Sequence, residues 1–287
     1  MAIERIDAVD GRFYSYEGRK WPSVNTIIHK FEPTEHLHKW RAKVGAEEAA
    51  RITAESTKNG TRVHRNNEAF FSADVEALPL DETQTKIAAN FSGLLNAVVE
   101  NVASEKAVHW TGQIDFKGLR ATDGKCVGFG GTYDALNLMR KGSFLNKEGN
   151  PFFKEEGAND LILVMTDYKT KKRQSKVEWL IKYFIQVSAY IGAVNQMTNC
   201  ELGVQHALIS IATTKTIKHY LLEPHKVLFY WQKWMQMVAA YFYDTGFDWE
   251  AMIEESMGTF DPDKGYHTNS FLPRLVQIKE EDTKLSL

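Results

Sequence analysis

The chain has 287 residues, 43% of them hydrophobic and 12% aromatic, which is ample for a large core and excludes a disordered segment or a disulfide-dependent miniprotein. Lys plus Arg number 35 against 37 for Asp plus Glu, so the net charge of -2 exerts no global pull on nucleic acid or anionic membrane, and a polyanion must be held locally. Cys126 and Cys200 are too few for a disulfide framework, a four-cysteine zinc site or an iron–sulfur cluster, and point to a reducing, cytoplasmic compartment. The opening lacks an apolar signal core, and no run nears the roughly 18 apolar residues that cross a bilayer, so the expectation is a soluble protein with no membrane partner.

In chain order, Ser23 to Ile28 reads as a short ordered opening after Pro22, and His36 to Glu55 has helical composition and spacing. Lys58-Asn59-Gly60-Thr61 predicts a break with Thr61 as N-cap, followed by a helix from Arg62 to Phe71 carrying Val63, Asn67 and Phe70 along one side. Thr85 to Val102 predicts a third helix with Ile87, Phe91, Leu94, Leu95 and Val98 as its stripe. From Lys106 the β-rich runs Val108–Trp110, Cys126–Phe129 and Thr132–Met139 are separated by Gly112, Gly118, Gly124 and Gly130-Gly131, so a sheet is expected to begin there. Lys141 to Asn159 reads as a long loop, and Leu161 to Lys169, the most apolar strand, suits a central position covered on both faces. Glu178 to Asn195 predicts a helix, Val204 to Ser210 a strand and Pro224 to Tyr243 an amphipathic, aromatic-rich helix, with a frayed end from Lys279. The expected class is α/β or α+β: one mixed sheet flanked by helices. The expected division is 1–104, helical; 105–220, a sheet-bearing core; and 221–287, a helix and tail, together one compact domain.

Two glycine-rich segments fail as phosphate loops. Gly128 to Tyr133 lacks the third glycine and runs into a strand, and Gly118 to Lys125 has the wrong glycine spacing, with Cys126 where Ser or Thr is required. What remains is Asp167-Tyr168-Lys169 at the end of the apolar strand, where alternation puts Asp167 and Lys169 on one face, roughly 7 Å apart along the strand. A strand-end salt bridge accounts for that pair alone. Asp134 lies in a strand that a hairpin can bring beside Asp167, and two adjoining carboxylates repel unless a divalent cation such as Mg²⁺ or Mn²⁺ lies between them. Gln186 and Tyr190, one turn apart, offer an amide and a phenol, or else they are core. Lys171, Lys172, Arg173 and Lys176, with Arg62 and Arg65 in the His64 helix, form a candidate DNA-binding lining or a solvated surface. Tyr230, Trp231, Trp234, Tyr241 and Tyr243 either stack on unpaired bases or pack in the core.

Taken together, Gly60 to His64, Gly131 to Asp134, Asp167 to Lys169 and Gln186 to Tyr190 resemble, in order and element type, the motifs of the PD-(D/E)XK nuclease superfamily. The branch is the RecB-like and Cas4-like one, similar to mitochondrial genome maintenance exonucleases and their viral relatives, with the match running from about Ser23 to Tyr190. The resemblance implies a restriction-endonuclease-like core in which His64, Asp134, Asp167 and the Tyr168 carbonyl bind Mg²⁺ or Mn²⁺ and Lys169 orients or activates water. Glu105 stands where relatives often carry an acid, though in loose spacing, and Glu68 is a candidate by its one-turn separation from His64. The implied activity is a metal-dependent DNA exonuclease acting on single strands with a free end. The alternatives are a restriction or resolvase-type endonuclease, and a catalytically silent nucleic-acid-binding protein of the same fold; oligomeric state is left open.

Overall fold

A computed structural model describes residues 3–114, 126–144, 160–258 and 267–268. The chain opens with three antiparallel strands, β1 (Glu4–Ala8), β2 (Gly11–Tyr16) and β3 (Arg19–Pro22), none of which was predicted. Four helices follow: α1 (Val24–Phe31), α2 (Glu35–Val44), α3 (Ala46–Phe71) and α4 (Glu82–Ala97). The main sheet has the order β4-β5-β6-β7-β8-β9, built from β4 (Val98–Gln113), β5 (Cys126–Arg140), β6 (Leu161–Thr170), β7 (His206–Ala212), β8 (Ile217–Leu222) and the two-residue β9 (His267–Thr268). Only β6 and β7 run parallel, joined by the crossover helix α5 (Ile181–Met197). Helices α6 (Pro224–Tyr243) and α7 (Trp249–Gly258) lie between β8 and β9, and none of the described helices is long and apolar enough to cross a membrane.

The sheet is a mixed one with a core on each face. On one side Phe184, Val187 and Ile191 of α5 and Tyr230 and Trp234 of α6 meet Phe129, Leu136 and Ile209 of the sheet. On the other, Val63 of α3 and Ile87, Phe91, Leu94 and Leu95 of α4 meet Ala135, Val164, Tyr168 and Leu208. Tyr230 and Trp234 are fully buried, so these late aromatics are core residues and not a stacking platform. As expected, β6 is interior to the sheet, with Val164 to Tyr168 buried.

Several local expectations are corrected. The break falls at Gly45, whose φ of 88° lies in the left-handed region, and α3 runs straight through Lys58-Asn59-Gly60-Thr61. An interior glycine costs a helix only about 1 kcal/mol, and here Asn59 is engaged by the Gln84 amide at 2.8 Å while Val63 and Asn67 are buried. Phe70, by contrast, is 53% exposed and leaves the predicted apolar side. Helix α4 begins earlier and ends earlier than predicted, because Asp81 accepts from Gln84 N in a capping box and the β-branched Val98 and Val99 enter the strand. The sheet therefore starts at Val98, not Lys106. The two β-runs before and after Gly130-Gly131 are one strand, since these glycines admit close neighbours: a Cβ at Gly130 would lie 2.5 Å from the Tyr14 side chain, and one at Gly131 would lie 2.3 Å from the Tyr190 ring. Strand β8 and helix α7 were not predicted. Gly118, Gly124 and most of the Lys141–Asn159 loop lie outside the described residues.

The N-terminal sheet is fastened to this body at α1. Ser23 caps α1 by accepting from Thr26 N at 3.0 Å, and the Thr26 hydroxyl donates to Arg12 O at 2.7 Å. Ser23 bridges Gly130, and the Tyr14 and Thr132 hydroxyls meet at 2.9 Å. One wall of the site is thereby built from the first 25 residues.

Candidate metal centre

Strands β5 and β6 pair from Arg140 and Leu161 as far as Ala135 and Thr166, and Asp134 and Asp167 come next, where the pairing has ended. In place of a ladder bond, Asp134 Oδ2 accepts the Tyr168 amide hydrogen at 2.7 Å. On the other side of β5 the ladder pairs Ser104 with Ala135 and Lys106 with Tyr133, and Glu105 between them takes φ 49°. A non-glycine residue in that region within a strand stores strain. The result is that Glu105 and Asp134 face His64 of α3: one ligand atom from each of the three lies within 4.8 Å of the others. His64 Nδ1 is 3.6 Å from Asp134 Oδ1.

Asp167 and Lys169 share a face of β6 and are paired at 2.7 Å. That ion pair occupies only Oδ1. Asp167 Oδ2 is buried with no hydrogen-bond partner, and a buried orphan acceptor on a carboxylate is costly. The Tyr168 ring turns to the helical face, against Phe91 and edge-on to His64, so the contact it makes at the site is through its backbone N–H. Gln186 donates to the Tyr190 hydroxyl at 3.0 Å, and both border the cleft although 7% and 4% exposed.

Charge is crowded here. Loss of water around its carboxyl in the cleft, with Asp134 adding, pushes Glu105 up to about 7 although the residue still reaches solvent, and burial, with Asp134 adding against Lys169, pushes Asp167 up to about 6. Burial also acts on Asp134, but His64, Lys169 and the Tyr168 amide together hold its carboxyl below the usual range. Burial opposes the charge on His64, yet the Asp134 carboxylate raises it above an ordinary imidazole.

The cleft above these groups has a volume of about 680 Å³. Its walls carry Arg5, Arg12, Tyr14 and Asn25 from the N-terminal sheet and α1, and Arg65 and Glu68 from α3. Of the sequence candidates, the fold brings together His64, Asp134, Asp167, Lys169, Gln186 and Tyr190, and also Glu105, whose spacing had looked loose. Glu68 borders the cleft in an ion pair with Arg65 at 3.2 Å, outside the three-residue group. Arg62 is not among the lining residues and donates to Pro79 O at 2.9 Å. Lys172, Arg173 and Lys176 are exposed beyond the end of β6, and Lys171 is half-buried against Tyr183. Arg5, Arg12 and Asn25 were missed because no motif marks them; their place follows from strand pairings about a hundred residues away in sequence.

Hard carboxylate oxygens with one imidazole suit Mg²⁺ or Mn²⁺, and Asp167 Oδ2 is an acceptor still lacking a partner, so the residues present fit a divalent cation. No family model matches the chain, and no curated protein matches it by sequence. Among solved structures it is similar to the crystal structure of SSO0001, over 85% of this chain and 77% of that one, with a TM-score of 0.37 and 11% identity.

Proposed function

We propose that this protein is a metal-dependent deoxyribonuclease, using Mg²⁺ or Mn²⁺, that shortens single-stranded DNA from a free end. The observation that carries the reading is the meeting of Asp134, Asp167 and Lys169 where β5 and β6 part, with a buried Asp167 oxygen left unpartnered. His64, Glu105 and Asp134 would hold the cation, with Asp167 beside them. A divalent cation there would supply charge that makes a bound water more acidic and offsets the negative charge developing on a phosphate.

The protein's own groups divide the remaining work. Asp134 accepts the Tyr168 amide hydrogen and so fixes the two strand ends against each other. Lys169, held by Asp167 at 2.7 Å, stays protonated, because the Asp167 and Asp134 carboxylates more than offset its burial. Its ammonium therefore donates to the water or to a phosphate oxygen and does not act as a base. Arg5 and Arg12 line the cleft and share Asp7, at 2.8 and 2.9 Å, so the two leave one net positive charge for a phosphate backbone, while Arg65 is offset by Glu68. The preference for single strands and free ends rests on the motif resemblance.

The test is Mg²⁺-dependent digestion of end-labelled DNA in linear and circular, single- and double-stranded forms. Progressive shortening of linear single strands with circles intact is the expected result. Internal cutting of circles replaces the exonuclease reading with an endonuclease one, and the absence of both cleavage and divalent-metal binding leaves a nucleic-acid-binding protein of the same fold.

A further inference from the structure

A second cavity of about 230 Å³ opens beside the main cleft and shares Asn25, Lys169 and Gln186 with it. Its other walls are Ile28 and His29 of α1 and Lys182 and Tyr183 of α5. Three ammonium groups gather on the Tyr183 ring: Nζ of Lys169, Lys171 and Lys182 lie 5.0, 5.1 and 5.6 Å from its centroid. Like charges gathered round one ring repel, and the pull of that ring is a small offset when three cations share it.

Two of the three have carboxylates. Lys169 is paired with Asp167 at 2.7 Å and Lys182 with Glu32 at 2.6 Å. Lys171 has no carboxylate partner among the described residues, so the cluster keeps one positive charge that its own acids do not offset. Nor are these freely waving surface lysines, since the Lys169 and Lys182 side chains are only 18% and 25% exposed. Asn25, in the first turn of α1, adds an amide that makes no hydrogen bond within the described residues. Cations held in place, a neutral donor and an opening onto the metal centre are the features of a phosphate site.

Building on the function proposed above, we propose that this side cavity binds a phosphate of the substrate strand next to the scissile one, with Lys182 in its wall as a cationic ligand, Asn25 as a neutral donor, and Lys171, which lies on the Tyr183 ring outside the cavity wall, supplying the unpaired positive charge at its edge. Lys169, common to both cavities, stands between the two phosphates. The ligand is a phosphate ester, either a terminal monoester, which registers the strand end against the metal centre, or an internal diester, which grips the strand in passing.

Binding measured in EDTA separates this site from catalysis. The probe is a fluorescein-labelled single strand carrying either phosphate or hydroxyl at its unlabelled end, followed by anisotropy across a salt series. Lys171→Gln and Lys182→Gln should each weaken binding about tenfold, as expected for one lost charged hydrogen bond, and flatten the log–log salt slope by about 0.7. Lys171 has no ion pair to lose, so its variant should melt as the wild type does and stands as the clean readout should Lys182→Gln, which strands Glu32, fold poorly. If only phosphate-ended strands lose affinity, the pocket holds a terminal phosphate. Equal loss for both strands assigns it an internal one. Variants with wild-type affinity and slope, in a protein whose wild type degrades DNA with Mg²⁺, overturn the pocket and leave the nuclease reading standing. A wild type that neither binds nor cuts DNA removes both.

Discussion

On the function proposed above, Asp134 has a structural and a catalytic duty that one pair of substitutions can separate. Its Oδ2 accepts the Tyr168 amide hydrogen at 2.7 Å, in a strand where Tyr168 is 3% exposed, and its Oδ1 faces His64 at 3.6 Å. Asp134→Ala leaves the Tyr168 N–H buried without an acceptor, which costs about 1–3 kcal/mol. Asp134→Asn keeps an oxygen for that N–H; it relieves the repulsion on Glu105 and Asp167 but gives up the attraction of His64 and Lys169, so it should fold more stably than Asp134→Ala without metal. At this chain length the difference between the two variants corresponds to about 2 °C in Tm per kcal/mol, hence about 2–6 °C. Catalysis should not discriminate between them: each lacks the preorganised charge and should lose about a hundredfold or more in kcat. Calorimetric melting in EDTA and Mg²⁺-dependent digestion of linear single strands measure the two effects. Equal stability of the Ala and Asn variants would refute the structural duty, and turnover by Asp134→Asn within about tenfold of wild type would refute the catalytic one.

Gly131→Ala puts a Cβ 2.3 Å from the Tyr190 ring and should destabilise by about 1–3 kcal/mol while displacing the Gln186–Tyr190 pair; a wild-type denaturation midpoint with undiminished activity would contradict the packing. Gly60→Ala has the opposite expectation, because its Cβ would meet only the Thr170 hydroxyl at 3.5 Å inside α3, so unfolding in urea should show a gain of about 0.5–1 kcal/mol, and a loss would contradict it. Without metal, Glu105 and Asp167 have folded values of about 7 and about 6, raised above those of the unfolded chain, so the folded state holds protons that the unfolded state releases. Their contribution to stability should accordingly fall as pH rises from about 4 through about 7, against His109 and His206, which burial lowers and which act the other way. The raised His64 acts in the same direction as the two carboxyls. Set against the wild type in EDTA, Glu105→Gln should gain Tm as pH rises across that window, and added Mn²⁺ should narrow the difference; parallel Tm profiles for the two proteins would contradict this.

The sequence was most legible where one element carries its own signal. Strand β6 has a run of apolar and β-branched residues, and α6 matched its predicted span from Pro224 to Tyr243, with proline at the start. Glycine misled in both directions: Gly60 sits inside a helix held by tertiary contacts, and Gly130-Gly131 sits inside a strand because Tyr14 and Tyr190 lie against it. Neither neighbour is visible in the local sequence. Asp134, Asp167 and Lys169 were legible because strand alternation and one turnback bring them together, and Gln186 and Tyr190 because helical spacing does. The walls contributed by Arg5, Arg12 and Asn25 were not, since they depend on Ser23 bridging Gly130 and Tyr14 meeting Thr132, contacts that no periodicity encodes.

Glu105 shows why the site is more than a strand-end salt bridge. If β6 needed only a neutralised acid at its exit, the Lys169–Asp167 pair would suffice, with the neighbouring strands continuing their regular ladder. Instead β4 bends a non-glycine residue to φ 49° and brings its carboxyl within 4.8 Å of Asp134 and His64, while Asp167 Oδ2 stays buried without a partner. Left-handed backbone, adjoining carboxylates and an orphan acceptor each cost free energy, of order 1–3 kcal/mol for the backbone alone. Scattered across the fold they would be unrelated defects. On the function proposed above the first two have a common reason: a divalent cation held by His64, Glu105 and Asp134 would relieve the carboxylate repulsion, and the strained turn at Glu105 is what brings the third of those groups within reach.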